Sequence, residues 1–171
     1  ASDVYKRQSS KGFKFRVVHI SDIHLTDKIS FAYFRSAIDQ VNEMQPDIIL
    51  ITGDFITRAK YASYIPEIFG NIKTTLGSFA ILGNHDYWGG ALEVATAVRS
   101  TNIELIGNGF RRVPIKDQGN LLICGCEDPW GDDRWQAPEI YPDDFVIVLS
   151  HTADNIYKLS AAGANLSLIH I

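Results

Sequence analysis

Cysteine is nearly absent: the 171 residues hold two, Cys124 and Cys126, with one residue between them. So close a pair is awkward to bridge, which excludes a disulfide framework and leaves the compartment open. Glycine (13) and proline (6) are too few for a collagenous or low-complexity chain. No run approaches the ~20 continuous apolar residues of a membrane-spanning helix. Positive charge does not dominate either. Sixteen Lys+Arg against 20 Asp+Glu give a net −4, so no global basic field exists to hold nucleic acid. Neither Gly-x-x-x-x-Gly-Lys-Ser/Thr nor Gly-x-Gly-x-x-Gly occurs, which excludes a P-loop or dinucleotide-binding fingerprint. What remains, 46% apolar and 21% charged, is the profile of one folded domain.

The two ends share a relation that bears on the domain limits. Asp3-Val4-Tyr5-Lys6-Arg7-Gln8 can be encoded GAT GTG TAT AAG AGA CAG, whose reverse complement translates as Leu-Ser-Leu-Ile-His-Ile, residues 166–171. Both hexapeptides therefore resemble the two readings of one transposon-end adapter used in DNA library preparation. Residues 1–8 and 166–171 are expected to be adapter-derived, leaving a partial domain over 9–165, and His170 is not counted as a ligand.

Within 9–165 the apolar pattern predicts buried strands at 16–20, 47–52, 78–82 and 145–149, each a nearly continuous β-branched or apolar run. Phe31, Phe34, Ala37, Ile38, Val41 and Met44 recur at helical spacing, with Ser30 as N-cap and Pro46 beyond the end. Further helices are predicted at 63–72, 91–98 and 153–162, and shorter strands at 103–106, 110–115 and 121–126. The order is βαβαβ in the first half and strand-rich in the second, an α/β class.

The polar residues cluster where the strands stop. The four long apolar runs end in Asp22/His24, Asp54, Asn84/His85 and His151. In open α/β sheets the ligand site lies outside the carboxyl ends of the strands, so these groups can converge on one edge. Taken singly, each has a structural reading: Gly53-Asp54 as a turn, Asn84 in a Gly turn, His151 as a hydrogen-bonded core histidine. Jointly, one metal site explains their order, position and type. Carboxylate, amide and imidazole donors suit Mn, Fe, Zn, Co or Ni better than a Ca or Mg cage. A carboxylate shared by two ions would hold them ~3.5–4 Å apart, an arrangement used for phosphoryl chemistry.

Asp22-Ile23-His24, Gly53-Asp54, Gly83-Asn84-His85-Asp86 and Ser150-His151 resemble four of the five signature blocks of the calcineurin-like metallophosphoesterases, in that family's order. Asp128-Pro129-Trp130 and the block from His151 to Tyr157 are similar to a bacterial, phosphodiesterase-type branch. The resemblance implies a four-layer α-β-β-α sandwich, incomplete at the C-terminus. It implies that Asp22 and His24 bind one divalent metal, that Asp54 bridges two, and that Asn84 and His151 bind the second. His85 would contact the phosphate and protonate the leaving oxygen, with Asp86 orienting it. The reaction implied is hydrolysis of phosphate esters, phosphodiesters first, by a hydroxide bridging two metals. The family's fifth block, Gly-His-x-His, does not follow Ala164 here, so each metal would lack one imidazole and this chain is expected to be an impaired form of an enzyme.

The resemblance further implies a small-molecule or lipid-linked phosphoester as substrate. The branch has membrane-associated members, so a cytoplasmic or membrane-associated bacterial protein is expected, any anchor being supplied upstream. Two alternatives stand beside this reading: a phosphomonoesterase or protein phosphatase of the same family, and a metal-binding domain without catalysis. Tyr87, Trp88, Trp130 and Trp135 are candidates for shaping a pocket, with ordinary packing as the competing reading. Arg58, Lys60, Arg111 and Arg112 could meet phosphate or be solvated surface. Cys124 and Cys126 share one strand face and read as small core hydrophobes.

Overall fold

The computed structural model describes residues 14–131 and 134–169. The expected adapter segment 1–8, and His170 and Ile171 of the other, lie outside them. Strands β1 (Val17–Ile20), β2 (Ile48–Ile51), β3 (Gly77–Ala80) and β4 (Ile103–Leu105) form an all-parallel sheet in that order. Parallel neighbours need crossovers. These are α1 (Phe31–Glu43), a 3₁₀ segment (Ala59–Tyr64) running into α2 (Ile65–Phe69), and α3 (Asn84–Arg99). Ser30 caps α1 as expected, its side chain accepting from the Tyr33 amide. The helix expected at 63–72 is instead divided, because Pro66 sits in the first turn of α2 and cannot continue a helix from upstream. The helix expected at 91–98 begins at Asn84, with a break at Gly90 where φ is 142°.

The helices cover one face of this sheet, where Val18, Ile20, Ile49 and Ile51 pack against Phe34, Ile38, Ile68, Val94 and Val98. The other face meets a second sheet, β5 (Phe110–Ile115), β6 (Gly119–Cys126), β7 (Asp144–Ser150) and β8 (Leu166–Ile169), in that order. There β5 runs antiparallel to β6, while β7 and β8 are parallel to their neighbours. Ile48, Leu50, Phe79 and Ile81 interlock with Leu121, Ile123, Ile147 and Leu149 between the sheets. Beyond the second sheet, Leu122, Cys124, Cys126, Val146 and Val148 pack with Trp135 and Leu159, the latter from α4 (Ile156–Ala161). The result is the expected α-β-β-α sandwich. Both cysteines are free, buried members of that outer core, and burial pushes the Cys124 thiol up to about 12. Strand β8 is built from residues expected to be adapter-derived; its Leu-Ser-Leu-Ile alternation fits a sheet edge whatever encoded it.

The second sheet carries its own ion pair, between half-buried Arg112 and buried Asp144. Arg112 donates from Nε (3.0 Å) and Nη2 (2.9 Å) to the two carboxylate oxygens of buried Asp144, and stacks over the Tyr141 ring at 4.5 Å. Burial raises the Asp144 carboxyl, but Arg112 outweighs it and holds the group below its ordinary 3.8. A depressed carboxylate stabilises the fold at pH above 3.8 and loses that contribution as the pH falls through its folded value. Arg112→Ala removes the charge partner of Asp144 and leaves it the Tyr141 amide (2.9 Å) as a donor, so a lower melting temperature is expected. Thermal denaturation at pH 7 checks it. An unchanged melting temperature would mean that water already screens the pair.

Candidate metal centre

Each of the four sequence blocks leaves the carboxyl end of a strand: Asp22 and His24 after β1, Asp54 after β2, Asn84 and His85 after β3, and His151 after β7. The loops after β1 and β2 run side by side. They are joined by Asp22 N–H to Gly53 O (3.2 Å), His24 N–H to Asp54 O (2.9 Å) and Leu25 N–H to Phe55 O (2.8 Å). Asp22, His24 and Asp54 all adopt left-handed backbone, with φ of 56°, 47° and 57°. That region is uncommon for residues with a Cβ, and surrounding contacts must maintain it. Here the paired loops do so.

The two glycines of the sequence blocks press on each other. A Cβ on Gly53 would lie 2.2 Å from the Gly83 amide nitrogen, and one on Gly83 would lie 2.2 Å from Asp54 Oδ1. Gly53 also needs its φ of +93°, whereas Gly83 is required for space alone. This close approach lets Asp54 Oδ1 accept from the His85 amide at 2.9 Å.

Asp54 Oδ2 is the centre of the arrangement, 3.3 Å from His24 Nε2 and 3.4 Å from His151 Nε2. Two groups of side chains that could hold a metal ion share it: His24, Asp54 and His85, and Asp22, Asp54 and His151, the candidate donor atoms in each lying within 4.8 Å of one another. This division differs from the expected pairing of Asp22 with His24, although those two side chains also approach to 3.7 Å. Asn84 Oδ1 lies 2.8 Å from His151 Nε2 and joins the second group. His85 packs edge-on against His24 at 4.8 Å between ring centroids and is exposed. Two carboxylates, an amide and imidazoles converging around one shared carboxylate match the donor set of two first-row divalent cations.

The histidine and carboxylates are tuned by their neighbours. His151 Nδ1 is 2.8 Å from the Thr52 carbonyl, which accepts its proton and leaves Nε2 facing the donor group. Burial lowers the His151 pKa, but Asp54 and the Thr52 carbonyl raise it further, to a net increase. Burial likewise raises Asp54, and His151, the His85 amide and His24 bring it below its ordinary value. On its other side Thr52 Oγ1 donates to Ser21 Oγ (2.9 Å) and meets His19 Nε2 (2.9 Å), and Ser21 Oγ in turn donates to Asp22 Oδ2. One buried threonine thus supports a candidate ligand in each direction.

Asp86 is fully buried, and its carboxylate accepts from the Gly83 amide (3.0 Å) and the Ile56 amide (3.2 Å). It fixes the start of α3, reaching back to the N-cap as in half of a capping box. The partners these bonds give it are backbone amides rather than the His85 ring. Burial pushes its carboxyl up to about 7.

Around the rim, Trp88 stands 5.3 Å from His85 and 69% exposed, and Trp130 stands 6.2 Å from His151. Trp135 is instead core. Lys60, Arg111 and Arg112 pair with Asp27, Glu104 and Asp144. Thr52 and Glu127 were not anticipated from the sequence. Both are polar residues at the carboxyl ends of apolar strands, the same signal that marks Asp22 and Asp54.

The chain matches the calcineurin-like phosphoesterase family over residues 15–168 and belongs to it. Among individual relatives, it is 27% identical over 162 residues to the uncharacterized metallophosphoesterase YkuE of Bacillus subtilis, covering 90% of this chain and 56% of that protein. It is 40% identical over 74 residues to the UDP-2,3-diacylglucosamine pyrophosphatase LpxG of Chlamydia muridarum, covering 42% of this chain and 22% of that one. It is 34% identical over 129 residues to the uncharacterized metallophosphoesterase Cj0846 of Campylobacter jejuni, covering 73% and 33%. The chain therefore spans between about a fifth and somewhat over half of the length of these relatives.

Proposed function

We propose that the whole protein hydrolyses phosphate esters, phosphodiesters by preference, with two divalent cations held about Asp54. The observation that carries this reading is the placement of Asp54 Oδ2 at 3.3 and 3.4 Å from imidazoles that come from different sheets. Two cations bound there supply acidified water and neutralise charge on the phosphate. Asp22, His24, Asp54, Asn84 and His151 hold them, and Thr52 and Ser21 keep His151 and Asp22 aligned. His85, exposed and edge-on to His24, would contact the phosphate and give a proton to the leaving oxygen. Trp88, exposed beside His85, offers a flat apolar face to the leaving group. The name of the Chlamydia relative, UDP-2,3-diacylglucosamine pyrophosphatase, supports a lipid-linked phosphoester among the substrates. A cytoplasmic or membrane-associated bacterial setting is part of this proposal. Among the described residues, no helix is long and apolar enough to cross a membrane.

Rates on a bis-aryl and a mono-aryl phosphate, with Mn, Zn, Fe, Co and Ni each added, test the reading. Faster turnover of the diester supports it, whereas faster turnover of the monoester moves the assignment to a phosphomonoesterase. Binding of both ions with no turnover of either ester favours a metal-binding domain. His85→Ala is expected to keep both ions and lose ~10²–10⁴-fold in turnover. Loss of an ion in that variant would place His85 among the ligands.

A further inference from the structure

One buried acid near the centre has no part in the reaction as derived. Glu127 follows β6 directly and is 6% exposed. It lies on the second sheet level with His151, since Cys126 pairs in register with Ser150. Its side chain crosses to the first sheet. Oε1 accepts from the Leu82 amide at 2.6 Å, and Oε2 accepts from the Tyr87 hydroxyl at 2.6 Å. Leu82 and Tyr87 are the residues on either side of Gly83-Asn84-His85-Asp86. One carboxylate therefore grips that block at both ends.

The backbone of Glu127 is equally committed. Its amide donates to Asn108 Oδ1 (2.6 Å), and its carbonyl accepts from the amides of Trp130 (2.8 Å) and Gly131 (3.1 Å). Trp130 is the ring beside His151. Burial raises the Glu127 carboxyl above its ordinary value, while the Leu82 amide and the Tyr87 hydroxyl pull it back. A carboxylate in so dry a place is costly unless its partners are fixed, and fixed partners are what a rigid ligand block requires.

We propose that Glu127 is a positioning residue that sets Asn84 and His85 against His151 by bracketing their loop from the opposite sheet. The proposal rests on the reading of the centre given above. Its effect passes through Leu82, Tyr87 and Trp130, and Glu127 itself touches neither phosphate nor cation.

The test uses the full chain with two variants, Glu127→Gln and Tyr87→Phe, the second removing one oxygen in case the first does not fold. Two readouts are taken. The first is amide hydrogen exchange of the metal-free protein. We expect the amides of His85, Asp86 and Tyr87 to exchange about tenfold faster, with β2 and β7 unchanged. The second is calorimetric titration with Mn or Zn. The weaker of two sites is expected to lose affinity, by up to the roughly 10–100-fold that follows removal of a group bonded directly to a ligand. Wild-type exchange and affinity in both variants would overturn the proposal. So would a uniform rise in exchange across both sheets, which marks general packing. If the unaltered protein fails to take two ions, the reading of the centre fails, while the exchange experiment still decides whether the bracket exists.

Discussion

Asp54→Ala is expected to abolish binding of both divalent cations, because its carboxylate belongs to both donor groups. Losing Asp22 or His151 would remove one donor from one group; losing Asp54 removes one from each. The drop in affinity should exceed the roughly 10–100-fold that follows loss of a group behind a ligand, and turnover should fall to background. Asp54→Asn is the sharper companion. Asparagine tolerates the left-handed backbone that Asp54 occupies, so this variant removes the charge and leaves the loop in place. Its remaining oxygen can still accept from the His85 amide. Calorimetric titration with Mn or Zn on both variants is the measurement. Two ions retained by Asp54→Asn would show that no shared carboxylate holds the centre together.

Gly83→Ala is expected to damage both stability and ion binding through a single added methyl group. The backbone there has φ of −103°, which alanine accepts, so the penalty is spatial. The added methyl would lie 2.2 Å from Asp54 Oδ1 and 2.7 Å from the Asp54 amide nitrogen. Neither can retreat easily, since that loop is already zipped to the one after β1. Overpacking typically costs ~1–3 kcal/mol, and this site should lie at or above the top of that range. The ligand carboxylate is the group displaced, so ion binding should fail with stability. Gly89→Ala, where the nearest atom would be 3.7 Å away, serves as the control and should be near neutral. Equal melting temperatures for the two variants would show that the loops that follow β2 and β3 can separate at little cost.

Much of this architecture was legible in the sequence because its central strands are parallel and covered on both faces. Such strands read as continuous apolar runs, and the run ends expose the polar residues that follow. Asp22, Asp54, Asn84 and His151 stood out for that reason. The start of α3 was hidden by Gly89-Gly90, whose composition resembles a loop although the helix resumes beyond it. The support of His151 was invisible because its partner is a carbonyl, which every residue possesses. The use of Asp86 was hidden for the same reason, its partners being the amides of Gly83 and Ile56. Glu127 met the strand-end criterion but its partners, Leu82 and Tyr87, lie 45 and 40 residues earlier. No local pattern links positions that far apart. The division of donors into two groups likewise depends on side-chain directions that residue order leaves open.

The derivation of His151 from the second sheet carries a consequence for biosynthesis. Its ring reaches the Thr52 carbonyl across 99 residues and the Asn84 side chain across 67. A chain emerging from the ribosome holds Asp22, His24, Asp54, Asn84 and His85 well before β7 exists. In that interval the first sheet has one apolar face without its partner sheet and a donor set without its last imidazole. Contacts so distant in sequence form slowly relative to local ones. The centre is therefore a late product of folding, and its completion reports that the two halves of the chain have met.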